Sequence, residues 1–449
     1  MIQVGIIGLG DMGKLYALTF AQAGYKVNVC DLPSKYKALK SSWNIDNIKV
    51  YKNGHCVSRI SDFTIYCVEA SAILNCVKEY GPSTKANSIV AGQTSVKEPE
   101  ILAFEKFLPE DVNIVTCHSL HGPNVSPKNQ TLVIIRQRSD QKSFEIAVEV
   151  LKSLKSKIVY LSYLEHDRIT ANTQACTHLA FLSMGTAWMK MKNYPWENKL
   201  YLGGIENIKI LITLRILNAN WHVYGGLAIL NPAAQLQILQ FEKSCSELFK
   251  LMLLEKKNEF KKRIMEGNYT SWIFLLMNFS AKIFIFGGNF GNKNVKSILL
   301  SDEILNLNKF SLSAIPKDQR KQNSQLSLLA MADTWYQLRI NPYDHLVCQT
   351  PPFALMLGCV EYLFHDKEML EDAINAAIFD KEIRADDLEF VSGVRGWCEI
   401  VGLGSMQGYK KRFENVKTFF KDRLEEGKKA STELIGILAN ISANKTSKL

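Results

Sequence analysis

The amino-terminal run Val4-Gly5-Ile6-Ile7-Gly8-Leu9-Gly10-Asp11-Met12-Gly13 constrains this chain more than any other stretch. Val4–Ile7 reads as a buried strand, and three glycines follow at the spacing Gly-x-Gly-x-x-Gly. An amphipathic stretch then runs on to Gly24. A strand, a glycine turn and a helix in that order have a specific physical use. Gly8 permits the tight turn, Gly10 lets the backbone approach a pyrophosphate, and Gly13 lets helix and strand pack closely. The phosphates then meet the amide-rich, positive end of the helix. Gly8, Leu9, Gly10, Asp11, Met12 and Gly13 are therefore the expected cofactor-binding residues. Asp31 joins them at the end of a second strand, Val27–Cys30, where an acidic residue accepts from a ribose 2′-hydroxyl and favours NAD. Lys35 and Lys37 follow closely and would suit a 2′-phosphate, so these residues alone leave NAD and NADP open.

Up to about residue 163 the chain alternates short apolar runs with helical patterns. The strands expected are Val4–Ile7, Val27–Cys30, Thr64–Val68, Ser88–Ala91, Ile114–Cys117, Leu132–Ile135 and Ile158–Leu161. That alternation predicts an α/β, Rossmann-type parallel sheet domain over 1–163. From Tyr163 on, long helical patterns take over, so 164–449 is expected to be a mostly α-helical domain. Ser162 and Glu165 form a capping box for a helix running to about Lys190. Further helices are expected at Leu211–Ala219, Pro232–Leu254, Leu326–Leu338, Phe353–Phe364 and Val416–Ala430. The polar stretch 287–323 reads as a loop or subdomain boundary.

Composition narrows the function classes. With 47% apolar and 22% charged residues the chain is an ordinary globular protein, apart from the Lys- and Ser-containing tail near Lys445–Leu449. No apolar run has the length of a membrane span, and the strand at the amino terminus is not a secretory signal. The ten cysteines are scattered singly, which fits a reducing, cytoplasmic setting without disulfides. The net charge of +10 is spread out rather than gathered into a basic, aromatic-rich patch. It suits an anionic small substrate and cofactor better than nucleic acid.

Ligands of such sheets bind beyond the carboxyl ends of the strands, so the residues after each strand are the candidates for chemistry. Ser95 follows the strand Ser88–Ala91, and His118 follows Ile114–Cys117. A neutral imidazole at that edge can accept a hydroxyl proton as hydride leaves the same carbon. His121 stands three residues on, but no Cys or carboxylate clusters with the pair, so no metal is expected. In the helix from Tyr163, His166, Thr170, Gln174 and His178 recur at helical spacing and read as the polar wall of a groove. Arg215 lies in an apolar run and would need either a substrate carboxylate or an internal acid as partner.

At these residues the sequence resembles prephenate dehydrogenase, in particular the long fungal form. The matching stretches are Gly5–Gly13, Lys52-Asn53-Gly54-His55, Gly92-Gln93-Thr94-Ser95, His118-Ser119-Leu120-His121-Gly122-Pro123 and Glu165-His166-Asp167. They continue with Thr177-His178, Ser183-Met184-Gly185, Trp221-His222-Val223-Tyr224 and Asn341-Pro342-Tyr343-Asp344-His345. The resemblance implies oxidative decarboxylation of prephenate to 4-hydroxyphenylpyruvate in tyrosine biosynthesis, with hydride passing to NADP, or to NAD. It implies His118 as the residue that takes the C4 hydroxyl proton and Ser95 as orienting substrate and His118. His178 and Gln174 would line the substrate pocket, and Arg215 would hold a carboxylate. It also implies a homodimer formed through the helical domains. One departure stands out: the bacterial pattern has proline after the catalytic histidine, where this chain has Ser119.

Three rivals remain open at this level. A 6-phosphogluconate-type dehydrogenase shares the glycine motif but uses a lysine on the first helix after the Rossmann domain, and none occurs here before Lys190. Arogenate dehydrogenase performs the same chemistry on an amine-bearing substrate. A non-catalytic NADP-sensing regulator would keep the glycine loop and lose Ser95 and His118, which this chain retains.

Overall fold

The structure is a computed structural model and describes residues 2–123, 125–197, 204–265, 300, 322–348 and 350–446. Most of the stretch 287–323, and the tail beyond Thr446, lie outside the described residues. The chain divides into two compact units. One comprises Met1–Thr173, Gly225–Ala234 and His345–Thr350; the other comprises Gln174–Tyr224, Gln235–Asp344 and Pro351–Leu449. The first unit thus runs past Tyr163 and takes back two short pieces from later in the chain.

The first unit is an eight-stranded sheet in the order β3-β2-β1-β4-β5-β6-β7-β8. Its strands are β1 (Gln3–Ile7), β2 (Lys26–Cys30), β3 (Ile48–Val50), β4 (Phe63–Tyr66), β5 (Ile89–Gly92), β6 (Asn113–Ser119), β7 (Thr131–Arg138) and β8 (Lys157–Tyr160). The seven expected strands are all present. β3 was not legible because it has only three residues and an edge position, where a strand needs no continuous apolar run. The sheet is parallel except at β6 and β7, which pair antiparallel. That pairing also lengthens β6: His118 lies opposite Val133 inside the strand, rather than in the loop after it.

The helices of this unit are α1 (Asp11–Gln22), α2 (Tyr36–Ser42), α3 (Gly54–Ser58), α4 (Ile73–Tyr80), α5 (Glu98–Phe107), α6 (Gln141–Leu151) and α7 (Tyr163–Thr170). Strand alternation sorts the core into two layers. Val4, Ile6, Phe63 and Ile65 face Tyr16, Phe20 and Val150 on one side of the sheet. Ile7, Tyr66 and Val90 face Val77 and Phe104 on the other. The capping box at Ser162 is formed: Glu165 N donates to Ser162 Oγ at 3.2 Å, and Ser162 N donates to Glu165 Oε2 at 2.8 Å.

After α7 the expected helix to Lys190 is interrupted by a π segment, Ala171–Ala175, before α8 (Cys176–Met191). The widened turn shifts the helical register, so His166 and Thr170 do not form one continuous stripe with Gln174 and His178. All four side chains are buried.

The second unit is helical, and α9 (Ile205–Asn218), Pro232–Leu253, Leu326–Gln337, Pro351–His365 and Lys381–Gly402 include the helices expected there. One expectation is corrected. Val416–Ala430 is not a single helix but the end of Met406–Phe419 and the start of Leu424–Thr446, joined by the 3₁₀ turn Lys421–Arg423. Phe420, fully buried, packs against the rings of Trp188 and Tyr194 and turns the chain there. No helix among the described residues is long and apolar enough to cross a membrane.

Candidate active site

The glycine turn has the geometry its residues require. Gly8 adopts φ +102°, and a Cβ there would meet the Cys67 carbonyl oxygen at 2.5 Å. A Cβ on Gly13 would run into the carbonyl oxygen of Gly8, so only glycine lets α1 start this close to the turn. Gly10 is the cap residue of α1 and offers no side-chain hydrogen bond to the helix's first amides. A Cβ on Gly10 would meet nothing within 4 Å. An anion at this end therefore finds uncapped N–H donors and open space, which fits the pyrophosphate of a dinucleotide.

Asp31 is occupied by the chain itself. Its Oδ2 accepts from Leu9 N at 3.0 Å, its Oδ1 from Leu32 N at 2.6 Å, and Lys35 Nζ pairs with Oδ1 at 3.1 Å. The carboxylate thus braces the glycine turn, with a largely exposed lysine beside it.

The edge formed by β5 and β6 carries a fully buried ion pair that sequence reading missed. Lys97 Nζ donates to Glu100 Oε1 at 2.9 Å, to the Gly92 carbonyl at 3.1 Å and to the Cys117 carbonyl at 2.7 Å. Glu100 in turn accepts from the hydroxyls of Thr94 and Thr116. Lys and Glu three residues apart look like a solvated pair in sequence, and only the closure of the sheet over them shows otherwise. Their bonds hold the carboxyl ends of β5 and β6 together just before His118.

His118 is buried and bonded to a second histidine. Its Nδ1 lies 2.8 Å from His166 Nε2, and His166 Nδ1 lies 2.8 Å from Asp167 Oδ1. Asp167 also caps α5, accepting from Lys97 N and Glu98 N, each at 2.8 Å. A carboxylate only accepts, so His166 donates from Nδ1 and accepts at Nε2. His118 then donates from Nδ1, which leaves its Nε2 as the basic lone pair. Burial first, then the neighbouring His166 and the Lys97 ammonium, hold the His118 pKa well below its ordinary value. The ring is therefore neutral and able to take a proton.

Ser95, half-buried, makes no hydrogen bond to His118; among the described residues the histidine's partner is His166. Ser119, the departure from the bacterial proline, does have a use. Its hydroxyl lies 2.7 Å from the Tyr16 hydroxyl, which donates to Gln93 Oε1 at 2.9 Å. Three parts of the unit meet in that cluster: α1, the end of β5 and the end of β6.

In the second unit, Gln174, Thr177 and His178 are buried on adjoining turns. Gln174 Nε2, Thr177 Oγ1 and His178 Nδ1 have no hydrogen-bond partner. Burial lowers the His178 pKa to about 3, so this ring is neutral as well. It meets the Tyr224 ring edge-on with centroids 4.6 Å apart. Arg215, half-buried, donates to Thr432 Oγ1 at 3.2 Å, and no carboxylate among the described residues lies within ion-pair distance of it. The internal acid considered for it is therefore not found there.

Comparison with known proteins follows the same division. Residues 3–161 match the NAD binding domain of 6-phosphogluconate dehydrogenase. Residues 175–440 match a 6-phosphogluconate dehydrogenase C-terminal domain. The chain is 25% identical over 275 residues to the probable arogenate/prephenate dehydrogenase of Methanocaldococcus jannaschii, covering 59% of this chain and 60% of that one. It is 48% identical over 450 residues to the prephenate dehydrogenase, NADP(+), of Saccharomyces cerevisiae, across 99% of this chain and 95% of that one. It is also 48% identical over 436 residues to the probable prephenate dehydrogenase, NADP(+), of Schizosaccharomyces pombe, across 97% of each. With about half its residues shared along nearly its whole length, the chain belongs to the prephenate dehydrogenase family.

Proposed function

We propose that this chain oxidatively decarboxylates prephenate to 4-hydroxyphenylpyruvate and CO2, with NADP, or NAD in its place, as the oxidant. The observation that carries the reading is the buried chain Asp167–His166–His118, which holds a neutral imidazole with its Nε2 lone pair unspent. When bound, the nicotinamide accepts hydride from C4 of the substrate. His118 takes the C4 hydroxyl proton as that hydride leaves. The bond to the ring carboxylate then breaks, CO2 departs, and its electron pair completes the aromatic ring. The proton returns from His118 to the phenolate oxygen, so no net proton is consumed.

The remaining roles follow from chemistry of the same kind. Ser95 acts on the substrate rather than as a fixed partner of His118. Arg215, with its guanidinium desolvated and no acid beside it, takes a substrate carboxylate in a charge-assisted bond. Gln174 and His178 supply polar atoms that protein groups leave unbonded. Gly8, Leu9, Gly10, Asp11, Met12 and Gly13 hold the pyrophosphate. Asp31, bonded to Leu9 and Lys35, leaves the lysine to meet a 2′-phosphate, which supports NADP. The ten cysteines are all free thiols, in keeping with a reducing compartment such as the cytosol. A homodimer through residues 164–449 is part of the same reading.

The test is growth of the reduced-nicotinamide absorbance with prephenate or arogenate, each with NADP and with NAD. The fastest growth is expected with prephenate and NADP. Growth with arogenate alone would move the substrate to its amine-bearing relative. No growth with either, from protein shown to bind NADP, would leave the regulator reading in its place.

A further inference from the structure

The helical unit contains a cavity of about 80 Å³ that the reaction does not use. Met184, Ala187, Trp188 and Met191 of α8, with Ile210 of α9 and Phe390, form its apolar wall. Its polar end holds Glu206 and Lys209 of α9, and Asp386 and Asp387 of the helix Lys381–Gly402.

The charges at that end are not equally engaged. Lys209 Nζ pairs with Glu206 Oε1 at 2.8 Å and donates to Gln325 Oε1 at 2.9 Å, and Gln325 Nε2 donates back to Glu206 Oε1 at 2.7 Å. That ring of three is closed, so the lone lysine is spent on Glu206. Asp387 is nine-tenths buried, and its Oδ2 has no hydrogen-bond partner. A buried carboxylate oxygen left unbonded beside open space lacks a donor. The unmatched charge of the cavity is therefore negative.

We propose that this cavity is a binding site for a compact organic ammonium, its cationic head on Asp387 and its apolar stem against Trp188, Met184 and Phe390. Three carboxylates face a single lysine, which disfavours an anion. Among the described residues no His, Cys, Asp or Glu group is arranged to hold a metal ion, which points to an organic cation. The volume admits roughly five or six heavy atoms, given the space one water takes up. The indole face of Trp188 attracts a cation as well as an alkyl group.

Proton linkage gives the site a signature. Burial, together with the charge of Asp386, raises the Asp387 pKa to about 7; its bond with Ser324 and the Lys209 charge act the other way, and Glu206 adds to the rise. The α8 wall contributes no titratable group. Below that pH an ammonium must displace the proton from Asp387, so its affinity falls by up to about tenfold per pH unit.

The test uses the full chain and isobutylammonium as probe, with isovalerate as an anion of similar size, by calorimetry at about pH 6 and about pH 8. Expected are saturable binding of isobutylammonium at the higher pH, binding about tenfold weaker at the lower, and none by isovalerate. Asp387→Asn removes the charge with little change of shape, and Ala187→Met fills the cavity from its apolar wall. Each is expected to weaken binding at least about tenfold while His118→Asn leaves it unchanged. Equal affinity in Asp387→Asn, equal binding of the anion, or no binding up to about 10 mM would overturn the proposal.

Discussion

At the scale of single residues, the direction of the bonds from Asp167 to His118 follows from the carboxylate having no proton to give. The tautomers of both rings are settled by that one acceptor, and the base is oriented before any substrate arrives. His118→Asn keeps a donor for His166 and removes the base. Its kcat is expected to fall by about 10²–10⁴ with the NADP Kd unchanged, as read by initial rates and by titration of cofactor fluorescence. Lys97 offers a second residue-scale test. Replacing one member of a fully buried ion pair leaves the other charge uncompensated, so Lys97→Met is expected to lower stability by about 3–5 kcal/mol in urea unfolding. Lys97→Met combined with Glu100→Gln should recover much of that loss; no recovery would mean that the bonds to Gly92 and Cys117 carry the effect. His118 was legible in the sequence because it follows a strand. Its dependence on His166 was not, since these two residues are far apart in the chain and only packing of α7 against the sheet edge unites them.

Among the elements, α1 depends on its first turn. Gly13→Ala would drive a methyl group into the Gly8 carbonyl, and the helix could start only by moving off the turn. NADP binding is expected to weaken more than about tenfold by titration, because the amides that face the pyrophosphate would be displaced. Gly10→Ala has open space for its methyl in the free protein, so any loss it causes reports on the cofactor rather than on the fold. The π segment Ala171–Ala175 shows the limit of reading periodicity. Spacing by four predicts one stripe from His166 to His178, and a widened turn divides it. No residue type in Ala171-Asn172-Thr173-Gln174-Ala175 announces such a turn, since the five-residue hydrogen bonds depend on what the flanking turns pack against.

For the molecule as a whole, three buried histidines set the response to acid. His118, His166 and His178 all have pKa values lowered by burial, so the unfolded chain binds protons below pH 6.5 that the folded chain does not. Stability contributed by keeping them neutral is present above pH 6.5 and is lost as pH falls. His178, lowered to about 3, loses about 1.4 kcal/mol per pH unit over that interval. Asp387, raised to about 7, acts in the opposite sense, because its folded form gains a proton first. The clean measurement is therefore a difference. Between about pH 7 and about pH 5 the stability advantage of the native chain over His178→Gln should shrink by about 2 kcal/mol in urea unfolding. A constant difference would mean that the ring is solvated or already charged.

The amino-acid sequence by itself determined the strand–glycine–helix opening, the order of seven strands, the helical character of the rest and the position of His118. Each of these depends on local spacing: alternation for strands, a period near four for helices, and glycines where a side chain cannot fit. Only the tertiary structure decided the antiparallel turn of β7, the short β3, the burial of Lys97 with Glu100, the use of Ser119 by Tyr16 and the absence of an acid near Arg215 among the described residues. These depend on which distant segments share a contact, and burial turns an ordinary lysine, serine or histidine into one whose every polar atom must be matched.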